Sequence, residues 1–213
     1  MYLAIHPLRR LIAEGESEVL DFKKTITSLP KIAKTLVAFA NSKGGRLLIG
    51  VNDGGEITGI QSEEEQFMIE QAAALYCKPR VPLRCMEHVV NGKAVLEVIV
   101  PPATAKPYYA RDEEGKLWVY VRVEDKSVLA TPILVEVMRR QAREAHNLIE
   151  LRDDYESRLL DFLNNRTEGA THNQVCKLLN ISRKKAAKIL AGLVTAGVVR
   201  HHFDHSQEWF SAA

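Results

Sequence analysis

The sequence predicts an α+β protein in two parts. A mixed sheet with helices spans residues 1–148, and a smaller domain of helices and a hairpin spans 149–213. Three observations lead there. In the first part short apolar strands alternate with helical stretches and are punctuated by the turn signals Asp53-Gly54-Gly55, Asn91-Gly92 and Glu114-Gly115. From about Asp153 the pattern changes to three closely spaced helical stretches and two short strand-like runs. Charge is also unevenly placed: the chain carries a net +2, yet Thr171 to Phe203 contains six Lys/Arg, three His and no Asp/Glu.

Taken in order, "AIHPLRRLIAEGE" reads as a short helix ending near Gly15. "EVLDFKKTI" alternates like a strand, with Leu20 and Phe22 on one face and Asp21 and Lys23 on the other. Pro30 suits the first turn of a helix. Ile32, Leu36 and Phe39 line that helix, and Gly44 is placed to end it. "RLLIGV" is an apolar strand that "GGEITGI" rejoins after a tight turn. Ser62 and Glu65 have capping-box spacing and open a helix through Ala74. "VPLRCMEHVV" and "KAVLEVIV" form a hairpin about Asn91-Gly92, and "KPYYARDEEGKLWVYVRV" a second one about Glu114-Gly115. A helix from Thr131 to about Leu151 turns polar after Met138. It reads as a connector, with Ile133, Val137 and Met138 partly exposed to a partner copy.

Composition narrows the class. With 213 residues, 46% hydrophobic and 26% charged, the chain suits a globular protein of one or two domains. No apolar run approaches the ~18 residues of a membrane span, and the N-terminal residues lack signal-peptide character. Cys77, Cys85 and Cys176 form no CxxC pair, which points to a reducing, cytoplasmic setting rather than a disulfide framework or zinc site.

The stretch "FANSKGGRLLIGVNDGGEITGI" contains two glycine pairs, but neither the Walker spacing nor GxGxxG. A helix end and a hairpin turn account for both. Together with "GESEVLDFKK" before it and "KPYYARDEEGKLWVYVRV" after it, this stretch resembles the Schlafen-type AlbA-like domain over about residues 10–130. The resemblance implies that family's mixed-sheet fold and nucleic-acid binding. In nuclease relatives three acidic residues hold a metal, and the matching positions are Glu16, Asp21 and Asp53. Such a trio would hold Mg²⁺ or Mn²⁺ against a phosphodiester. Asp21 stands where Glu is usual, one methylene shorter. Lys23 and Lys24 are placed for flanking phosphates, as is Arg122 in "VYVRV". Tyr108, Tyr109 and Trp118 are candidates for base stacking.

The C-terminal part resembles a winged helix. Thr171 caps one helix, Asn180-Ile181-Ser182 makes a turn, and Ser182 caps a second helix bearing Arg183, Lys184, Lys185 and Lys188, with Arg200 beyond it. These cations are the expected duplex-DNA contacts. His201, His202 and His205 fit no metal-ligand spacing and read as surface histidines. The leading expectation is therefore a DNA-binding transcriptional regulator, a homo-oligomer needing no certain cofactor. The alternatives are a metal-dependent nuclease, acting on RNA or DNA through Glu16, Asp21 and Asp53, and a protein-interaction module.

Overall fold

The computed structural model describes residues 7–60, 62–143, 154–204 and 207–213. The chain forms two compact units, the first made of the residues up to Thr104 and Tyr108–Leu129, the second of Ala105–Pro107 and the residues from Ala130 on.

The first unit opens with α1 (Pro7–Ala13), β1 (Leu20–Lys23), α2 (Leu29–Asn41) and β2 (Gly45–Ile49). β1 and β2 are parallel and joined through α2, since a parallel pair needs a crossover rather than a tight turn. α2 begins where Ser28 Oγ accepts a hydrogen bond from Lys31 N, with Pro30 in its first turn. It is buried along most of its length. Next come α3 (Ser62–Gln71), a π-helical turn at Ala72–Tyr76, β3 (Cys77–Lys78), β4 (Arg84–Val90) and β5 (Lys93–Val100). The main sheet has the order β1-β2-β5-β4. Asn91 and Gly92 both have positive φ, 52° and 75°, as a two-residue turn between β4 and β5 requires.

β1, β2 and β5 are buried on both faces, while the edge strand β4 is largely exposed. Leu47, Ile49, Leu96 and Val98 join α2 in the larger core. Leu20, Phe22, Leu48 and Val95 pack with Leu8 of α1 on the other side. The expected polar face of β1 is therefore absent: Asp21 pairs with Leu47 in the β1–β2 register and is only 4% exposed.

The unit ends with β6 (Tyr109–Arg111), β7 (Leu117–Trp118), β8 (Tyr120–Val123) and β9 (Lys126–Leu129). The single hairpin expected over 106–123 is in fact two, β6 with β7 and β8 with β9. The second turns at Glu124, whose φ is 53°. With no glycine there, the sequence carried no turn signal.

The second unit holds α4 (Pro132–Arg143), α5 (Asp154–Asn164), β10 (Ala170–Thr171), α6 (His172–Leu179), α7 (Arg183–Thr195), β11 (Val199–Phe203) and β12 (Glu208–Ala212). The strands form one antiparallel sheet in the order β10-β12-β11. Thr171 and Gln174 make a reciprocal capping box for α6. Asn180, in the left-handed conformation, ends α6, and Ser182 caps α7. α4 belongs to this unit, where the sequence reading had attached it to the first. Ile133, Val137 and Met138, expected to be partly exposed, are buried, and the first two join Leu159, Leu163, Leu190, Leu193 and Phe210 in one core. The continuation of that helix toward Leu151 lies outside the described residues.

Candidate functional site

The expected carboxylate site is built around β1 and β8. Asp21 is held from two sides. Arg122 Nη1 donates to its Oδ2 at 2.8 Å, and Lys23 Nζ donates to its Oδ1 at 2.6 Å. The Arg122 side chain is 1% exposed. Its Nη2 donates to Ser17 O at 2.7 Å and its Nη1 also reaches Ser127 Oγ at 3.3 Å. The guanidinium lies 4.9 Å from the centre of the Phe39 ring. A planar fork can satisfy several acceptors and an aromatic face together, which a lysine cannot. Arg122 was expected to reach a phosphate. It is instead a buried counter-ion, because Asp21 needs one once β1 is covered on both faces.

Glu16 stands beside this pair, its Oε1 accepting a hydrogen bond from Phe22 N at 2.8 Å. Burial raises its pKa. The Phe22 hydrogen bond opposes this, and the neighbouring Asp21 adds to the rise. Asp53 does not join them. It is exposed in the turn after β2, and among the described residues no group of three His, Cys, Asp or Glu is placed to hold a metal ion. The structure thus brings together Glu16 and Asp21, not the expected trio. Lys23 is engaged by Asp21, while Lys24 is exposed.

The glycine pairs serve the backbone. Gly44 has φ +78°, and a Cβ there would lie 2.7 Å from Val100 O. A Cβ on Gly45 would fall 2.3 Å from the Phe39 ring. Both positions thus require glycine for close packing of the backbone. Sequence reasoning missed Asn41. Its Nδ2 donates to Tyr108 O and Tyr120 O, each at 2.9 Å, and its Oδ1 accepts from Tyr108 N at 2.8 Å. One amide thereby ties the end of α2 to the segments around β6 and β8. The available signal was an amide in the last turn of an otherwise apolar helix. Of the candidate stacking residues, Tyr108 and Tyr109 are half-buried and Trp118 is exposed, its Nε1 donating to Asp112 Oδ2 at 2.7 Å.

The second unit presents the basic surface. Ala186, Ile189, Leu190 and Leu193 turn α7 inward, which leaves Arg183, Lys184, Lys185 and Lys188 exposed, as is Arg200 on β11. Lys185 Nζ sits 3.9 Å from the Tyr155 ring centre. Four cations in the first two turns oppose the helix dipole, whose positive end lies there. They therefore do not serve the helix. His201 is not a surface residue. It packs on Phe210 with ring centres 5.2 Å apart, and its Nε2 bonds Glu208 Oε1 at 2.9 Å. Thr131 Oγ1 donates to the same Glu208 oxygen. Burial alone would raise the Glu208 pKa, but the bonds from His201 and Thr131 outweigh it and hold it below the ordinary value.

Among the described residues no helix is long and apolar enough to cross a membrane. No curated protein matches the chain. Among solved structures, the DIP2311 protein of Corynebacterium diphtheriae aligns at 17% identity and a TM-score of 0.44, over 90% of this chain and 34% of that one. The chain thus spans about a third of that protein's length. The N-terminal domain of an ATP-dependent DNA helicase RecG-related protein from Nitrosomonas europaea aligns at 22% identity and a TM-score of 0.43, over 70% of this chain and 99% of that domain. The model of the Schlafen, AlbA_2 family matches residues 16–131. That span runs from Glu16 through the Asn41 clamp and the Asp21–Arg122 pair to the end of the first unit, and covers more than half of the chain, which therefore belongs to the Schlafen, AlbA_2 family.

Proposed function

We propose that the protein is a DNA-binding transcriptional regulator whose second unit is a winged helix, with α7 entering the major groove and the β11–β12 hairpin as the wing. The observation that carries this reading is the exposed cation set Arg183, Lys184, Lys185, Lys188 and Arg200 within a span free of acidic residues. Such a set, unhelpful to its own helix, fits a polyanion, and residues at the front of a recognition helix meet base edges and phosphates. The order helix, strand, helix, turn, helix, hairpin from α5 to β12 supports the same reading. Membership of a nucleic-acid-related family supports the coarser part, that the partner is a nucleic acid.

The metal-dependent nuclease is the poorer account of the first unit. Both Asp21 oxygens are taken by Lys23 and Arg122, so a metal would have to displace a buried arginine. Under our reading Glu16 and Asp21 with Arg122 are structural, and the first unit contacts nucleic acid or an effector through other residues.

The test is a gel-shift titration on duplex DNA at several salt concentrations. Replacing Arg183, Lys185 and Lys188 with Glu is expected to abolish specific retardation. Each lost phosphate contact lowers the salt slope by about 0.9. Retardation with an unchanged salt slope would overturn the proposal.

A further inference from the structure

A cleft in the first unit gathers oxygen atoms that the chain itself leaves unused. Its walls are the first turn of α3, which brings Glu64 and Glu65, the segment Thr58–Ile60, Thr25 just after β1, and Lys93 at the start of β5. The cleft has a volume of about 540 Å³. Backbone bonds fix one wall: Thr58 N and Gly59 N donate to Gly50 O at 2.8 and 3.1 Å, and Ile60 N donates to Ala94 O at 3.0 Å. Glu65 is 8% exposed. Its Oε1 accepts one long hydrogen bond, from Thr25 Oγ1 at 3.3 Å. Its Oε2 is buried without a partner, and so is Thr58 Oγ1.

The other buried carboxylates are treated differently. Asp21 has Arg122 and Lys23, and Glu97 has Arg46 at 3.0 Å and His88 at 2.7 Å. Among the described residues no lysine, arginine or histidine forms an ion pair with Glu64 or Glu65. Lys93 stands at the same cleft, but its Nζ donates to Ile57 O at 2.9 Å. The positive end of α3 offsets about half a charge, whereas its first turn carries Glu63, Glu64 and Glu65. A carboxylate taken out of water without a counter-charge is strongly disfavoured. The cleft therefore has an excess of negative charge and two orphaned oxygens, and it lacks the cation that Asp21 and Glu97 each possess.

We propose that this cleft is a binding site for a hard divalent cation, Mg²⁺ or Ca²⁺, held by Glu65 with Glu64 and the Thr58 and Thr25 hydroxyls and otherwise by water. No sulfur or imidazole borders the cleft, and an all-oxygen donor set selects hard cations. Two carboxylates suit such an ion, since Mg²⁺ keeps several waters and takes one or two carboxylates. The site shares no residue with Glu16, Asp21 and Asp53, and it uses two carboxylates with hydroxyls rather than three acidic groups. It lies in the first unit and does not depend on the proposed DNA-binding role.

The test is calorimetric titration of the chelator-stripped full chain with MgCl₂ and with CaCl₂. One ion is expected to bind per chain, with a Kd of about 0.1–1 mM for a site of so few charged ligands. Glu65→Gln is expected to weaken binding by about tenfold or more, and Thr58→Val by less, because ligand charge sets the affinity. Asp53→Asn is expected to leave it unchanged. Thermal melting separates a lost ligand from a lost fold. Without cation, Glu65→Gln is expected to melt no lower than the wild type, since the uncompensated charge is gone. Saturating cation is expected to raise the melting temperature of the wild type and not that of the variant. A wild type that binds neither ion at about 10 mM, a Glu65→Gln variant that binds as the wild type does, or one that melts below it without cation would overturn the proposal.

Discussion

Replacing Arg122 with Met tests the reading of the carboxylate pair most directly. Methionine fills a similar volume and keeps contact with Phe39, but it removes the charge and the bonds to Asp21, Ser17 and Ser127. Asp21, 4% exposed, would retain only Lys23, whose side chain is 39% exposed. Leaving a buried charge without its buried partner costs about 3–5 kcal/mol. In a unit of this size that is a fall in melting temperature of roughly 10–25 °C. The assay is urea unfolding, with Asp21→Asn and the double variant completing a thermodynamic cycle. The double variant should recover at least ~1 kcal/mol over the sum of the singles, because it removes the stranded charge. Additive losses, or an Arg122→Met loss below about 1 kcal/mol, would refute the ion-pair account. A metal site at Asp21 would then need fresh consideration.

Other expectations follow from the same geometry. Asn41→Leu should destabilise the first unit by about 2–4 kcal/mol, since it removes the partners of the part-buried Tyr108 and Tyr120 carbonyls and of the Tyr108 N–H, and denaturant melts would measure it. Gly45→Ala should cost stability or solubility because its Cβ meets the Phe39 ring at 2.3 Å, as thermal melting can check. The depressed Glu208 pKa means that its contribution to stability is present above the ordinary carboxylate pKa of 4.5 and is lost as pH falls through the lower folded value. Glu208→Gln should flatten this acid limb in melts recorded across that range. Glu16 has the opposite sign. Its raised folded pKa gives stability that is complete below 4.5 and fades as pH rises through the folded value, so Glu16→Gln should remove that decline.

Some turns and helix ends were readable from the sequence: the Asn91-Gly92 hairpin, the Ser182 cap and Gly44 past the end of α2 follow from local backbone demands. The hairpin expected about Asp53-Gly54-Gly55 is instead a turn closed by one bridge, Val51 with Ile57, because β2 already pairs with β1 and β5. The hairpin at Glu124 was hidden because an ordinary residue took positive φ there. The roles of Asp21 and Arg122 were hidden for a different reason. Alternation in β1 says that Asp21 opposes Leu20, but not whether its own face is covered. That depends on α2 and on β8, far along the chain. The α4 residues failed similarly: polarity after Met138 suggested a connector, yet Ile133 and Val137 complete the core around α7. Exposed cations on α7 were legible because surface charge needs no tertiary partner to be seen.

The Asp21–Arg122 and Asn41–Tyr120 bonds also have a temporal meaning. They join residues 101 and 79 positions apart. At a synthesis rate of about 5–20 residues per second, Asp21 waits about 5–20 s for its arginine to be made. During that interval β1 and β2 can pair, but the carboxylate they enclose has no buried counter-charge, and the end of α2 lacks its amide clamp. The nascent sheet is then at its most exposed to wrong partners, and completion of β8 is the event that commits the unit to its fold. Truncation before residue 122 should therefore yield a chain that aggregates rather than a smaller stable domain.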